Sequence, residues 1–353
     1  MNTHLKGIFL FAALVSGGLP LRAVTVGFVY GGPRADAGWD SAQEEGRLFL
    51  VKALPEVQTI VAENVPETSE AERVMEKMAR AGATIIFATS YGYFDEAVRV
   101  SRRYPNVVFL YSGDGQTAHN VGNYFGSTEQ AMYVAGIAAA YKTKTGKFGY
   151  VEAHPIPLLL RGINAFALGA QTVNPAITVH VICIDTWQDP VKEAEAANSL
   201  IDEGADVLSG ELNSNSTLAQ VAEKRGISFV GQYFDASKLA PHAWLIGNYY
   251  KWGAMMVQIV KEVEAGNWKE KIYLAKLGEV LLLTPPDPTL PAEARVEMDR
   301  VAADLESGKR KLWMGPIRRQ DGTLLVGEKQ VLAPAQVTEM DFLVQGTVGS
   351  LGN

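Results

Sequence analysis

The chain has 353 residues, 47% of them apolar, with 39 acidic against 32 basic side chains and a net charge of −7. That length exceeds what one hydrophobic core usually organises, so two domains of ordinary size are expected. The acidic balance excludes the electrostatic footprint of a nucleic-acid binder or of a protein held on an anionic membrane, and the lone cysteine, Cys183, excludes an intrachain disulfide.

Residues 1–23, MNTHLKGIFLFAALVSGGLPLRA, place Lys6 ahead of an apolar run from Ile8 to Val15, then Gly, Pro and finally Ala23. This is the pattern of a secretory signal peptide, and the run is too short to span a bilayer. No cysteine stands at the cleavage point to carry a lipid anchor.

From Val24 the chain alternates β-branched runs with stretches of helical spacing. VTVGFVY reads as a strand and Ser41 to Leu54 as a helix; VQTIVAE as a strand and Ser69 to Ala81 as a helix. ATIIFATS leads to a helix from about Tyr93 to Tyr104, and NVVFLYS closes the group. The pattern restarts after Gly126 with a helix over Glu129 to Tyr141, then KFGYVEA, a helix over Leu160 to Ala170, ITVHVICID, and a helix from Asp189 to Glu203. ADVLSG, a helix from Thr217 to Lys224, ISFVGQ and AWLIGNYY complete the second group. An amphipathic helix from Trp252 to Ala265 follows, then GEVLLLT, a charged helix from Ala292 to Ser307, and a hairpin-like DGTLLVG. Such alternation predicts parallel sheets covered on both faces, in two doubly wound units without a flexible linker. Cys183, inside an apolar strand, reads as a structural thiol.

In open α/β sheets ligands bind beyond the carboxyl ends of the strands. Those ends offer Asp36 and Trp39, Glu63 and Asn64, Ser90, Tyr91 and Tyr93, and Asp114 in the first unit. The second unit offers His154, Asp185 and Trp187, Glu211 and Asn213, and Tyr233 and Asp235. A single tryptophan or tyrosine at such a place packs into a core as readily as it lines a site. Recurrence at successive strand ends favours a site in which aromatic faces stack on a flat heterocycle and carboxylates or amides accept its N–H groups or bond sugar hydroxyls. A phosphorylated ligand fits poorly, because no basic cluster accompanies these loops. The glycines after the first strand lack the dinucleotide spacing, no phosphate-loop motif is present, and the scattered histidines lack metal-ligand spacing. Neither a cofactor nor a metal is expected.

Several stretches together, VGFVYGGPRADAGWD, AENVPE, HPIPLLLRGINAFALGAQTVNP, TWQDPVKE and IDEGADVL, resemble the basic membrane protein family of ABC-transporter substrate-binding proteins, which includes purine nucleoside receptors and purine-base binders. The resemblance runs from about Val24 to the end of the chain. It implies a type I periplasmic-binding-protein fold of two Rossmann-like lobes with three crossovers, residues 24–124 plus 248–281 forming one lobe and 125–247 plus 282–353 the other. It further implies a periplasmic monomer without a membrane anchor, hinge closure on a purine base or nucleoside, and delivery to an ABC permease, with no catalysis. Carried onto this sequence, the resemblance points to Asp36 and Trp39 in the first loop, Ser90 to Tyr93, the Thr186-Trp187 and Asp189-Pro190 pairs, Asp235 and Lys251. Tyr233 stands where relatives carry a first acid, and the loop around Glu211 departs from the purine-base pattern. A ligand-sensing domain of a membrane receptor shares this fold and site. A secreted nucleoside hydrolase, the enzymatic alternative, requires an aspartate cluster for calcium, and the first loop has only Asp36 and Asp40.

Overall fold

The structure, a computed structural model, describes residues 24–350. The expected export signal, residues 1–23, lies outside the described residues. Strands β1 (Thr25–Val29), β2 (Gln58–Ala62), β3 (Ile85–Ala88), β4 (Val108–Tyr111) and β5 (Val121–Gly126) alternate with helices α1 (Trp39–Ala53), α2 (Ser69–Arg80) and α3 (Phe94–Arg103). The chain then crosses to a second unit of α4 (Thr128–Lys142), β6 (Lys147–Glu152), α5 (Pro157–Val173), β7 (Thr178–Cys183), α6 (Pro190–Asp202), β8 (Val207–Glu211), α7 (Ser216–Arg225), β9 (Ser228–Gly231) and β10 (Trp244–Tyr250). It returns for α8 (Gly253–Glu264) and β11 (Ile272–Ala275), and crosses a last time into β12 (Leu281–Leu283), α9 (Ala292–Glu306), the β13 (Ile317–Arg318) and β14 (Leu324–Val326) hairpin, α10 (Pro334–Thr338) and β15 (Thr347–Val348).

One sheet has the order β11-β5-β4-β3-β1-β2 and the other β12-β10-β9-β8-β6-β7-β15. The first is parallel throughout. The second is parallel except where β12 runs against β10. Strands such as IIFA in β3 are buried along their whole length, as a sheet covered on both faces requires. The helices begin where local chemistry lets them. Thr68 accepts the N–H of Glu70 at the start of α2, and Asp189 accepts the N–H groups of Val191 and Lys192 ahead of Pro190 at the start of α6.

Sheet membership moves the lobe limits by a few residues from those implied by the resemblance. β5 remains in the first sheet as far as Gly126, and β10 pairs with β9, with one register shift, inside the second sheet up to Gly247. β12 pairs with β10 from Asn248 to Tyr250, so the second crossing lies after Tyr250 rather than at 248. An aromatic hub sits beside the crossings: the Trp39 ring lies 5.6 Å from Phe125, 5.9 Å from Tyr250 and 5.9 Å from Trp252, and Tyr250 stacks on Trp252 at 4.2 Å. The core cluster through this hub is continuous from β1 to β8, so the lobes share apolar packing.

Candidate ligand-binding cleft

The carboxyl ends of the two sheets converge on a narrow cavity that opens to solvent at its mouth. The first lobe contributes Trp39, Thr89, Ser90, Tyr91 and Ser112; the second contributes Leu158, Leu159, Trp187, Leu212, Asn213 and Tyr233, with Phe125 at the first crossing. No carboxylate or cation lines it among the described residues. Aromatic walls with a few hydroxyl and amide groups suit a flat, uncharged ring that makes a small number of hydrogen bonds. Against it lies a more polar annexe lined by Gly31, Glu67, Gln188 and the shared Ser90, Trp187 and Asn213, among others.

The stretch from Gly31 to Ser41 fastens one lobe to the other. Asp36 Oδ1 accepts the N–H groups of Gly38 and Ser41, both at 2.9 Å, which caps the start of α1. Across the cleft, the Asn213 amide donates to Asp36 Oδ2 at 3.0 Å and to Asp40 Oδ2 at 2.9 Å. The Asn213 carbonyl accepts the Trp39 N–H at 2.7 Å, and Ser216 Oγ donates to the Asp36 carbonyl at 3.0 Å. Backbones approach so closely here that a Cβ at Gly38 would lie 2.0 Å from the Asn213 oxygen, which only glycine permits. Trp39 is fixed by its indole N–H, donated to the Thr89 carbonyl at 2.5 Å, and its ring forms a cavity wall. Burial, with Asp36 alongside, pushes the Asp40 carboxyl up to about 7.

Below the cavity floor, Glu152 and Glu211 stand side by side in register on β6 and β8, each 1% exposed. Glu211 accepts the hydroxyls of Tyr233 and Tyr150, and a Cβ at Gly162 would lie 2.5 Å from its Oε2. Glu152 Oε2 has no partner. Burial pushes Glu211 up to about 8, and burial together with the neighbouring Glu211 holds Glu152 well above the ordinary carboxylate range.

Of the residues expected from sequence, the fold brings Trp39, Ser90, Tyr91, Trp187, Asn213 and Tyr233 together on the cavity. The others lie off it for identifiable reasons. Asp36 spends its oxygens on the α1 cap and on Asn213. Tyr93 is fully buried, its hydroxyl donating to the Val65 carbonyl. Asp114 pairs with Arg161 across the lobes at 2.8 Å. Glu211 lies beneath the floor with Tyr150 and Tyr233. Asp235 is exposed and accepts the Ser237 N–H, and Lys251 is exposed near the Tyr249 ring. Glu63 pairs with Arg34, and His154 sets its ring 4.8 Å from that of Trp187. Sequence reasoning missed Thr89, Ser112, Phe125, Leu158, Leu159 and Leu212. Thr89 and Ser112 each follow a strand directly and were findable by that rule, whereas the leucines carry no chemical signal.

Two doubly wound lobes facing each other across an aromatic cavity define the class of two-lobed solute-binding proteins. The family model described as ABC transporter substrate-binding protein PnrA-like matches residues 23–288, and the chain belongs to that family. A purine-binding protein of Brucella abortus is 39% identical over 307 residues, covering 86% of this chain and 87% of its own. A Haloferax volcanii ABC-transporter protein, provisionally named glucose-binding, is 30% identical over 85% of this chain and 77% of its own. The solved structure of an ABC transporter solute-binding protein from Conexibacter woesei superimposes with a TM-score of 0.66 at 21% identity, covering 82% of this chain and 98% of its own. Proteins of this family bind small solutes and work with ABC permeases. Among the described residues no helix is long and apolar enough to cross a membrane.

Proposed function

We propose that this chain captures a purine base or nucleoside in the interlobe cleft and presents it to the permease of an ABC importer, as a periplasmic monomer exported by residues 1–23 and carrying no lipid. The observation that carries this reading is the cavity itself, whose aromatic walls at Trp39, Tyr91, Phe125, Trp187 and Tyr233 surround hydroxyl and amide groups without a charge. A flat neutral heterocycle satisfies such walls by stacking and loses no solvated charge on entry. The Brucella relative bears a purine-binding name, which supports the same ligand class. Binding does no chemistry; the ligand supplies the differential affinity that favours the closed lobes.

The test is a thermal-shift screen of the refolded chain against purine and pyrimidine bases, nucleosides, glucose, other sugars and amino acids. A ligand that binds the native state raises the melting temperature in proportion to the logarithm of its excess over the dissociation constant. A rise with a purine or its nucleoside is expected. A rise with glucose alone, or release of base from inosine by the chain, overturns the proposal.

A further inference from the structure

Glu67, in the turn between β2 and α2, closes the AENVPE stretch without having been expected at the site, yet it links cavity residues of both lobes. Its Oε1 accepts the Ser90 hydroxyl at 2.5 Å and the Gly92 N–H at 2.7 Å, both within the first lobe. Its Oε2 accepts the indole N–H of Trp187, from the β7–α6 turn of the second lobe, at 3.0 Å. The fit against the first lobe is close: a Cβ at Gly92 would lie 2.5 Å from the Glu67 carboxyl carbon. The acceptor is thus preorganised on one lobe, and a single donor arrives from the other. Ser90 and Trp187 both line the cavity, so the bond joins two of its walls.

We propose that Glu67 and Trp187 form a latch that holds the lobes closed, and that Glu67 acts on ligand release chiefly through its bond to Trp187 across the cavity rather than by touching the ligand. The indole N–H bonds to a carboxylate, a charge-assisted contact made only when the lobes meet. Breaking it destabilises the closed state, and Trp187→Phe does so without touching the Ser90 and Gly92 bonds inside the first lobe, so its signature is faster ligand release with little change in association. The inference rests on the cleft being the ligand site, but not on the ligand being a purine.

Two measurements test it. In a Cys183→Ser background, nitroxide labels on Ser69→Cys and Glu195→Cys, one in each lobe, report the interlobe distance in the ligand-free chain. A short-distance population is expected in the parent and a depleted one in both Glu67→Ala and Trp187→Phe. The absence of a short-distance population in the parent, or an unchanged distribution in the variants, overturns the latch. With adenine as probe, release by stopped flow is expected to quicken about ten-fold in each single variant, as for loss of one hydrogen bond to a charged group. The double variant should release no faster than either single one. Multiplying effects, in which Glu67→Ala still quickens release when Trp187→Phe is already present, would mean that Glu67 acts by a route other than Trp187, through Ser90 or on the ligand itself, and overturn the proposal. Failure of adenine to bind the parent counts against the purine reading alone, because the distance measurement still decides the latch.

Discussion

Asp40 is fully buried, one of its oxygens has no partner, and the other is shared between the Gly32 N–H and Asn213. Its carboxyl stands at about 7 instead of 3.8, and that of Glu211 at about 8 instead of 4.5. The folded chain therefore holds protons that the unfolded chain releases at lower pH. The corresponding stability is whole below about pH 4 and is lost as pH rises through 7 to 8. The melting temperature should fall between pH 5.5 and 8.5, and Glu211→Gln, which keeps an acceptor for the Tyr233 hydroxyl but cannot ionise, should flatten part of that slope. A flat wild-type profile would mean that neither carboxyl is held protonated. At the same scale, Trp39→Ala removes a cavity wall and should weaken ligand binding at least ten-fold, a buried aromatic contact being worth roughly 1–3 kcal/mol. Asp235→Ala, on an exposed turn, should leave affinity unchanged in the same titration, contrary to its role in the family resemblance. Asp36 shows why sequence cannot separate these cases. An aspartate two residues before a glycine at a strand end is equally a ligand acceptor and a helix cap, and only the position of the Ser41 N–H decides.

At the scale of elements, the strand exits share a backbone device. Asn64, Asp185 and Tyr233, each two residues past a strand, have φ of 55°, 57° and 70°, and Ala37, later in the loop between β1 and α1, has 56°. A left-handed tyrosine is costly, and here the Tyr233 N–H bonded to Asn248 and its hydroxyl on Glu211 hold it with the ring against the cavity. Gly38 is the corresponding device between lobes. Gly38→Ala should hold the first loop off Asn213 and lower ligand affinity about ten-fold or more, since a Cβ cannot occupy that gap without separating the lobes. Unchanged affinity would show that closure tolerates the separation. Helices α1 to α9 were legible to within about three residues, because three- and four-residue apolar spacing and caps such as Asp189-Pro190 are local properties, whereas the short α10 was not expected. β5 and β11 were not. VGNYFG is fully buried yet carries glycine, asparagine and no alternation, and IYLA is a four-residue edge strand whose only partner lies about 150 positions earlier.

For the whole molecule, the two lobes and the facing strand ends were readable from the restart of the pattern, whereas contact across the cleft was not. Asn213, Glu67 and Arg161 are ordinary polar residues until the lobes meet, when each bridges a gap that no local spacing encodes. The chain also shuttles between its lobes. The first sheet takes its edge from β11 and packs α8 beside α1, while the second is completed by β12 and β15. Leu290, Met298, Trp313, Phe342 and Leu343, all beyond residue 288, fill the second lobe's core. A polypeptide emerging from its amino end cannot seal the first lobe until Ala275 has appeared, nor the second until Thr347 has. This interleaving postpones native closure to the end of synthesis, which keeps a chain of the exported kind proposed above threadable while it is still being made.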